Sequence, residues 1–167
     1  MTMQRGRTID IAVEIEDAGW SARLPDVAGV VQQAALAALD AVQADDEGEI
    51  VVLLTNDAEV RNLNARFRGK DASTNVLSFP SPATAVGSLG DIALALGVCA
   101  REAGEQGKTL TQHLQHLVAH GVLHLMGYDH EADDEAEEME AIERQVMAGL
   151  GAPDPYAARG GAEGSHG

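Results

Sequence analysis

The chain has 167 residues, 45 % of them hydrophobic, and a net charge of −16: enough for one domain with its own core, and too apolar for a disordered polyanion. That charge excludes a broad basic nucleic-acid face, though not a local one, and the single cysteine excludes an internal disulfide and a cysteine-rich zinc site. No uncharged apolar run reaches transmembrane length and residues 1–15 carry no apolar signal core, so the expectation is a soluble, cytoplasmic protein with no membrane partner.

The first predicted element is a strand over residues 8–16, where Ile9, Ile11, Val13 and Ile15 alternate with small or polar residues. Pro25 and Asp26 then open a helix to about residue 44, with Val27, Val30, Val31, Ala34, Leu36 and Leu39 available for burial. Residues 49–55 form a buried strand around Ile50, Val51 and Val52. Asn56 or Asp57 caps a helix over residues 58–66, which Gly69 breaks. A short strand over 76–79 stops at Pro80 and leads into a Pro/Ser/Ala/Gly loop over 80–88. Ile92, Leu94 and Leu96 mark another strand over 90–96, and a helix over 98–105 ends near Gly107.

Thr109-x-x-Gln112 is a capping box and starts the next helix. Leu114, Leu117, Val118, Val122 and Leu125 make that helix apolar on nearly every face, so it should be central and buried. Asp133 or Asp134 begins a last helix with Ala136, Met139, Ile142 and Val146 as its buried stripe. Residues 151–167 are rich in Gly, Ala and Pro without apolar periodicity and are expected to be a disordered tail. The expected fold is α+β: a single domain over residues 1–150, a small mixed β-sheet flanked by helices, and the central helix bearing a metal site in the manner of the metzincins.

The central helix carries the chemistry. His120 and His124 are four residues apart and share a helix face. Gly127 can stop the helix in a left-handed conformation, after which Tyr128 and Asp129 lead His130 back toward the same point. Three imidazoles with an open fourth position suit one catalytic zinc ion per chain, and so a hydrolytic site. His113 and His116 lie upstream on the same helix and are read as outer groups, and His166 falls in the tail. Residue 121 is glycine, so the carboxylate of a His-Glu-x-x-His peptidase is missing from its usual place. Asp129 or Asp91 could serve as base, and Asp129 could instead orient a histidine.

Charge is unevenly spread. Glu131, Asp133, Asp134, Glu135, Glu137, Glu138, Glu140 and Glu143 crowd one stretch, whereas Arg61, Arg66, Arg68 and Lys70 fall close together in another. Arg68, where a helix gives way to a loop, is either an exposed arginine or a bidentate clamp for a phosphate. Phe67 and Phe79 are read as core rather than as platforms for bases.

The segment from His120 to His130 resembles the signature of the YbeY family of bacterial endoribonucleases and rRNA maturation factors. Residues 63–71, followed by residues 74–80, are similar to that family's arginine-bearing block, and Leu89-Gly90-Asp91-Ile92 to one of its strands. The resemblance implies a zinc-dependent, single-strand-specific endoribonuclease acting in small-subunit (16S) ribosomal RNA maturation and ribosome quality control. It implies His120, His124 and His130 as zinc ligands and Arg68 as the catalytic arginine. RNA and the small ribosomal subunit or its precursor are the implied partners, with no DNA, and the RNA path runs past Arg61, Arg66 and Lys70. Asn75 departs from the family's more usual aspartate, and a neutral amide there cannot act as a base. The competing readings are a metal-dependent hydrolase of peptides or amides and a non-catalytic ribosome-associated factor.

Overall fold

The structure is a computed structural model and describes residues 8–44, 47–82, 87–129 and 131–156. Four strands, β1 (Thr8–Ile15), β2 (Glu47–Thr55), β3 (Val76–Pro80) and β4 (Ser88–Ala95), form one sheet in the order β1-β2-β4-β3. β1, β2 and β4 run parallel, and β3 joins the far edge antiparallel to β4. Six helices accompany them: α1 (Gly19–Arg23), α2 (Val27–Ala41), α3 (Asp57–Arg68), α4 (Leu96–Gln106), α5 (Leu110–Leu125) and α6 (Asp133–Gly149). The expected mixed sheet flanked by helices is therefore present.

The alternation along each strand sorts side chains to two faces. Ile50, Val52, Leu54, Ile92 and Leu94 point into the main core with α2, α5 and α6, where Val31, Leu39, Leu114, Val118, Leu123 and Met139 are buried. Leu53, Ala93 and Ala95 point the other way, into a smaller cluster with Val60, Leu63 and Phe79 under α3. α5 touches α2, α4, α6, β3 and β4, which explains why its sequence is apolar nearly all round.

Several boundaries differ from the expectation. α2 ends at Ala41, not near residue 44, because Gln43 takes a left-handed conformation (φ 54°) and Ala44 N–H turns back to the Leu39 carbonyl. α3 starts at Asp57, with the Asn56 side chain capping Glu59 N–H, and runs on to Arg68. The short α1 was not anticipated. Its five residues have no periodicity to read; it is held by Trp20, which is fully buried and donates its indole N–H to the Thr55 carbonyl at 2.9 Å.

The beginning of the expected tail is also ordered. Ala152 N–H bonds the Met147 carbonyl at 2.9 Å, Arg144 pairs with Asp154 at 3.3 Å, and Lys108 Nζ reaches the Pro155 carbonyl at 3.1 Å. Residues 151–156 thus form a strap across α4–α6, tied by polar contacts that composition does not announce. Residues 157–167, with His166, lie outside the described residues, as do residues 83–86 of the expected loop. Among the described residues no helix is long and apolar enough to cross a membrane.

Candidate active site

The Thr109 capping box forms as expected: Thr109 Oγ1 accepts from Gln112 N–H at 3.1 Å, and Gln112 Oε1 accepts from Thr109 N–H at 3.3 Å. The helix it starts lies close against the sheet at Gly121. A Cβ there would stand 3.1 Å from Ile92 Cδ1, Ile92 Cγ2 and Ser78 Oγ. The residue that stands where the peptidase glutamate would be is therefore a close contact between α5 and β3–β4, where any side chain would be crowded. That seat fixes how far His120 and His124 stand from the end of β3.

Beyond the helix, Gly127 takes φ 97° and Tyr128 N–H closes back on the Leu123 carbonyl at 3.0 Å. The reversal sends Tyr128 and Asp129 into a cleft of about 720 Å³ that they line together with Arg68, Lys70, Asn75, Ser78, His120, His124 and Glu131. His130 lies outside the described residues, and among these no cluster of three or more metal-ligating side chains forms.

Within the cleft, His120 Nε2 and His124 Nε2 approach to 3.1 Å. The other ring nitrogen of His120, Nδ1, lies 2.7 Å from Glu143 Oε2. Glu143 sits on α6 with none of its surface exposed, and its second oxygen, Oε1, is 2.7 Å from His116 Nε2 and accepts a short hydrogen bond from the Tyr156 hydroxyl. Burial alone would raise the carboxyl pKa; hydrogen bonds from His116 and His120, with their charge, outweigh it and hold Glu143 down at about 2. An ionised Glu143 only accepts, so His120 Nδ1 is the donor, and in the neutral ring Nε2 then carries the lone pair.

This donor set fits a zinc ion. Two nitrogens at about 2.0 Å from one tetrahedral centre stand roughly 3.3 Å apart, close to the observed spacing. A histidine whose far nitrogen donates to a carboxylate is the usual form of such a ligand.

The cationic residues divide. Arg68 and Lys70 line the histidine cleft. Arg68 donates a short hydrogen bond to the Ser78 carbonyl, and its guanidinium carbon lies 5.3 Å from the centre of the Phe79 ring. Arg66 stacks over Phe67 at 5.1 Å, and Phe67 is exposed rather than core. Arg61 makes a two-point pair with Asp71, at 2.7 and 3.1 Å, in a separate groove with Glu16 and Asn56.

Of the two candidate carboxylates, Asp129 lines the cleft and Asp91 does not. Asp91 shares the face of β4 that carries Ala93 and Ala95, opposite the histidines, in a groove with Glu14, Glu16, Phe67 and Phe79. Partial burial raises its pKa, but strand alternation rather than acidity keeps it from the histidine pair. The acidic start of α6 comes closer than expected: Glu135 and Glu138 border Gly127–Asp129.

Two outer histidines are now accounted for. His116 holds Glu143, and His113 is buried with Nε2 2.9 Å from Glu102 Oε1, which also accepts from Asn75 Nδ2 at 2.9 Å. Asn75 Oδ1 receives Val76 N–H at 2.6 Å, so this amide braces β3 against α4. Cys99 is buried and its thiol is pushed up to about 12, chiefly by desolvation, which leaves it inert. Sequence reasoning missed Glu143. Its signal was position: it continues the buried stripe of Met139 and Val146, four and three residues away.

A one-domain α+β fold whose central helix presents a carboxylate-braced histidine pair in a cleft shared with an arginine and a lysine defines a candidate hydrolase of phosphate-bearing substrates. The profile of the family described as endoribonuclease YbeY matches residues 13–151, and the chain belongs to that family. Relatives named endoribonuclease YbeY include one from Azorhizobium caulinodans, 51 % identical over 89 % of this chain and 97 % of its own. Others are from Bradyrhizobium diazoefficiens, 51 % identical over 83 % of this chain and 81 % of its own, and Rhodopseudomonas palustris, 52 % over 87 % and 80 %. A solution structure from Thermotoga maritima superposes with a TM-score of 0.53 at 26 % identity, covering 86 % of this chain and 91 % of that one. Membership places the chain among hydrolytic endoribonucleases.

Proposed function

We propose that this chain is a zinc-dependent endoribonuclease that cuts single-stranded RNA in the maturation of small-subunit (16S) ribosomal RNA and in ribosome quality control. In this reading it acts in the cytoplasm, with the small ribosomal subunit or its precursor as partner. The observation that carries the reading is the convergence of His120 and His124 Nε2 at 3.1 Å in a cleft shared with Arg68 and Lys70. The names of the relatives support RNA as substrate.

In this reading His120, His124 and His130 hold one zinc ion. When bound, zinc supplies a Lewis acid that polarises a phosphoryl oxygen. Lys70 attracts the backbone of the RNA, and Arg68 clamps the scissile phosphate and offsets the charge that grows on its oxygens. Because Arg68 is held by Ser78 and Phe79, its guanidinium is placed before substrate arrives. Asp129 stands in the same cleft as the group available to accept or orient a proton. Glycine at 121 speaks against the peptidase alternative, since the carboxylate that such enzymes use is missing from that place.

The test is metal content and cleavage of a single-stranded RNA by wild type and His124→Ala. The expected result is about one zinc per wild-type chain and loss of both zinc and cleavage in the variant. Full zinc in a His120→Ala/His124→Ala double variant would overturn the ligand assignment. Cleavage of peptides but not RNA would overturn the substrate.

A further inference from the structure

The strap formed by residues 151–156 ends at the metal site rather than on bare surface. Three polar ties hold it: Ala152 N–H to the Met147 carbonyl, Arg144 to Asp154, and Lys108 to the Pro155 carbonyl. Tyr156 N–H also bonds Asp154 Oδ1 at 2.8 Å. Between Arg144, whose guanidinium carbon lies 5.2 Å from the ring centre, and His116, whose ring packs edge-on at 5.4 Å, the Tyr156 ring has a fixed place. From there its hydroxyl meets Glu143, the same carboxylate that accepts from His116 and from His120 Nδ1.

Glu143 therefore receives three donors, two from α5 and one from the strap, and only one of them leads to the cleft. Its anchoring by His116 and Tyr156 fixes the orientation of Oε2. Oε2 in turn fixes which nitrogen of His120 bears hydrogen and where Nε2 points. A carboxylate free to turn would let His120 adopt the other tautomer, with hydrogen on Nε2, and that nitrogen could then bind no cation.

We propose that Glu143 and Tyr156 are positioning residues for the metal ligand His120, so that the strap beyond the family-matched residues 13–151 completes the metal site. The proposal rests on the zinc reading given above. It requires no contact of either residue with substrate, and it makes the C-terminal strap a working part of the enzyme.

The experiment uses the full chain and zinc alone as the probe, with affinity read by competition against a chelator of known strength. Glu143→Gln should weaken zinc binding about 10- to 100-fold, the scale for losing the hydrogen-bond partner of a ligating histidine. Tyr156→Phe keeps the ring against His116 and Arg144 and loses one hydrogen bond; it should weaken zinc binding about three- to tenfold. Proton–nitrogen NMR of the histidine rings in the zinc-free protein supplies a reading that mere loss of stability would not move. His120 should be the Nδ1–H tautomer in wild type and shift toward Nε2–H in both variants. If Glu143→Gln does not fold, Tyr156→Phe decides. Unchanged zinc affinity and an unchanged His120 tautomer in Tyr156→Phe would overturn the role of the strap. The same result in folded Glu143→Gln would overturn that of the carboxylate. If wild type binds no zinc, the zinc reading fails by itself, and the tautomer measurement still decides whether these residues position His120.

Discussion

Adding one methyl group at Gly121 tests the seating of α5 on the sheet. Alanine is favoured over glycine in a helix interior by about 1 kcal/mol, so an unobstructed Gly121→Ala would stabilise the protein. Here the methyl would meet three atoms at 3.1 Å, tighter than ordinary contact at 3.4–4 Å. Neither neighbour can retreat easily. Ile92 has no exposed surface, and Ser78 belongs to a strand pinned by β4 on one side and Arg68 on the other. Overpacking of this kind costs about 1–3 kcal/mol, which leaves a net loss of about 1 kcal/mol after the helical gain. In a chain of this size that lowers Tm by roughly 2–4 °C. Since the methyl pushes α5 away from the sheet, His120 and His124 should move together, leaving their mutual spacing intact and their distance from Arg68 larger. Thermal and urea unfolding of the metal-free protein give the stability, and zinc content and RNA cleavage report the site. Near-normal zinc with reduced cleavage is expected. A Gly121→Ala protein more stable than wild type by about 1 kcal/mol would show that the seat is loose.

Arg68→Ala should keep its zinc and lose cleavage by about a hundredfold or more, with Arg68→Lys recovering only part; an unchanged cleavage rate would remove Arg68 from the reaction. The loss of its bond to Ser78 should cost Arg68→Ala only about 1 kcal/mol in urea unfolding. Charge reversal of the exposed Glu137 to lysine should leave cleavage at physiological salt nearly unchanged, and a large fall with the fold intact would mean that the RNA path crosses α6. Burial holds the His113 pKa below its usual 6.5, only partly countered by Glu102. Below pH 6.5 the unfolded chain takes up a proton that the native state refuses, so His113 costs stability as pH falls and nothing above that range. Urea unfolding across pH 5–8 should therefore show a shallower acid slope in His113→Gln, and parallel curves for the two proteins would contradict this.

What could be read from the chain was what local pattern decides. The β1 alternation, the apolar β-branched run of β2, the Thr109 capping box and the stop at Gly127 each rest on neighbours in sequence, and each element is present. The i, i+4 spacing of His120 and His124 sufficed to bring their nitrogens together. The unread parts depend on contacts between distant segments. α1 exists because Trp20 finds a carbonyl 35 residues away. Glu143 stands in a run of carboxylates whose shared look is that of a solvated face; only its place between Met139 and Val146 sets it apart, and only the meeting of α5 with α6 reveals its partners. Tyr156 follows a segment with no apolar rhythm, so nothing near it in sequence marks it. Asp91 shows how strand alternation separates neighbours: Ile92 faces Gly121, whereas Asp91 beside it faces the other side of the sheet.

The position of β1 at the end of the sheet has a consequence for handling the protein. Among the described residues β1 pairs with no strand but β2, and apart from the Ile11 carbonyl, which accepts from Gln32 Nε2 at 3.4 Å, its outer row of peptide groups is a template for another strand. At the opposite edge β3 is short and ends in Pro80, which cannot donate, so that side is blunted. β1 has no proline and relies on charge, with exposed Asp10 and Glu14 along it and a molecule of net charge −16 behind them. Repulsion between copies is then what keeps edges apart, and it vanishes as the solution approaches the isoelectric point near 4.5. Concentrated protein should stay dispersed at neutral pH and low salt, and associate through β1 when acid or salt removes that repulsion.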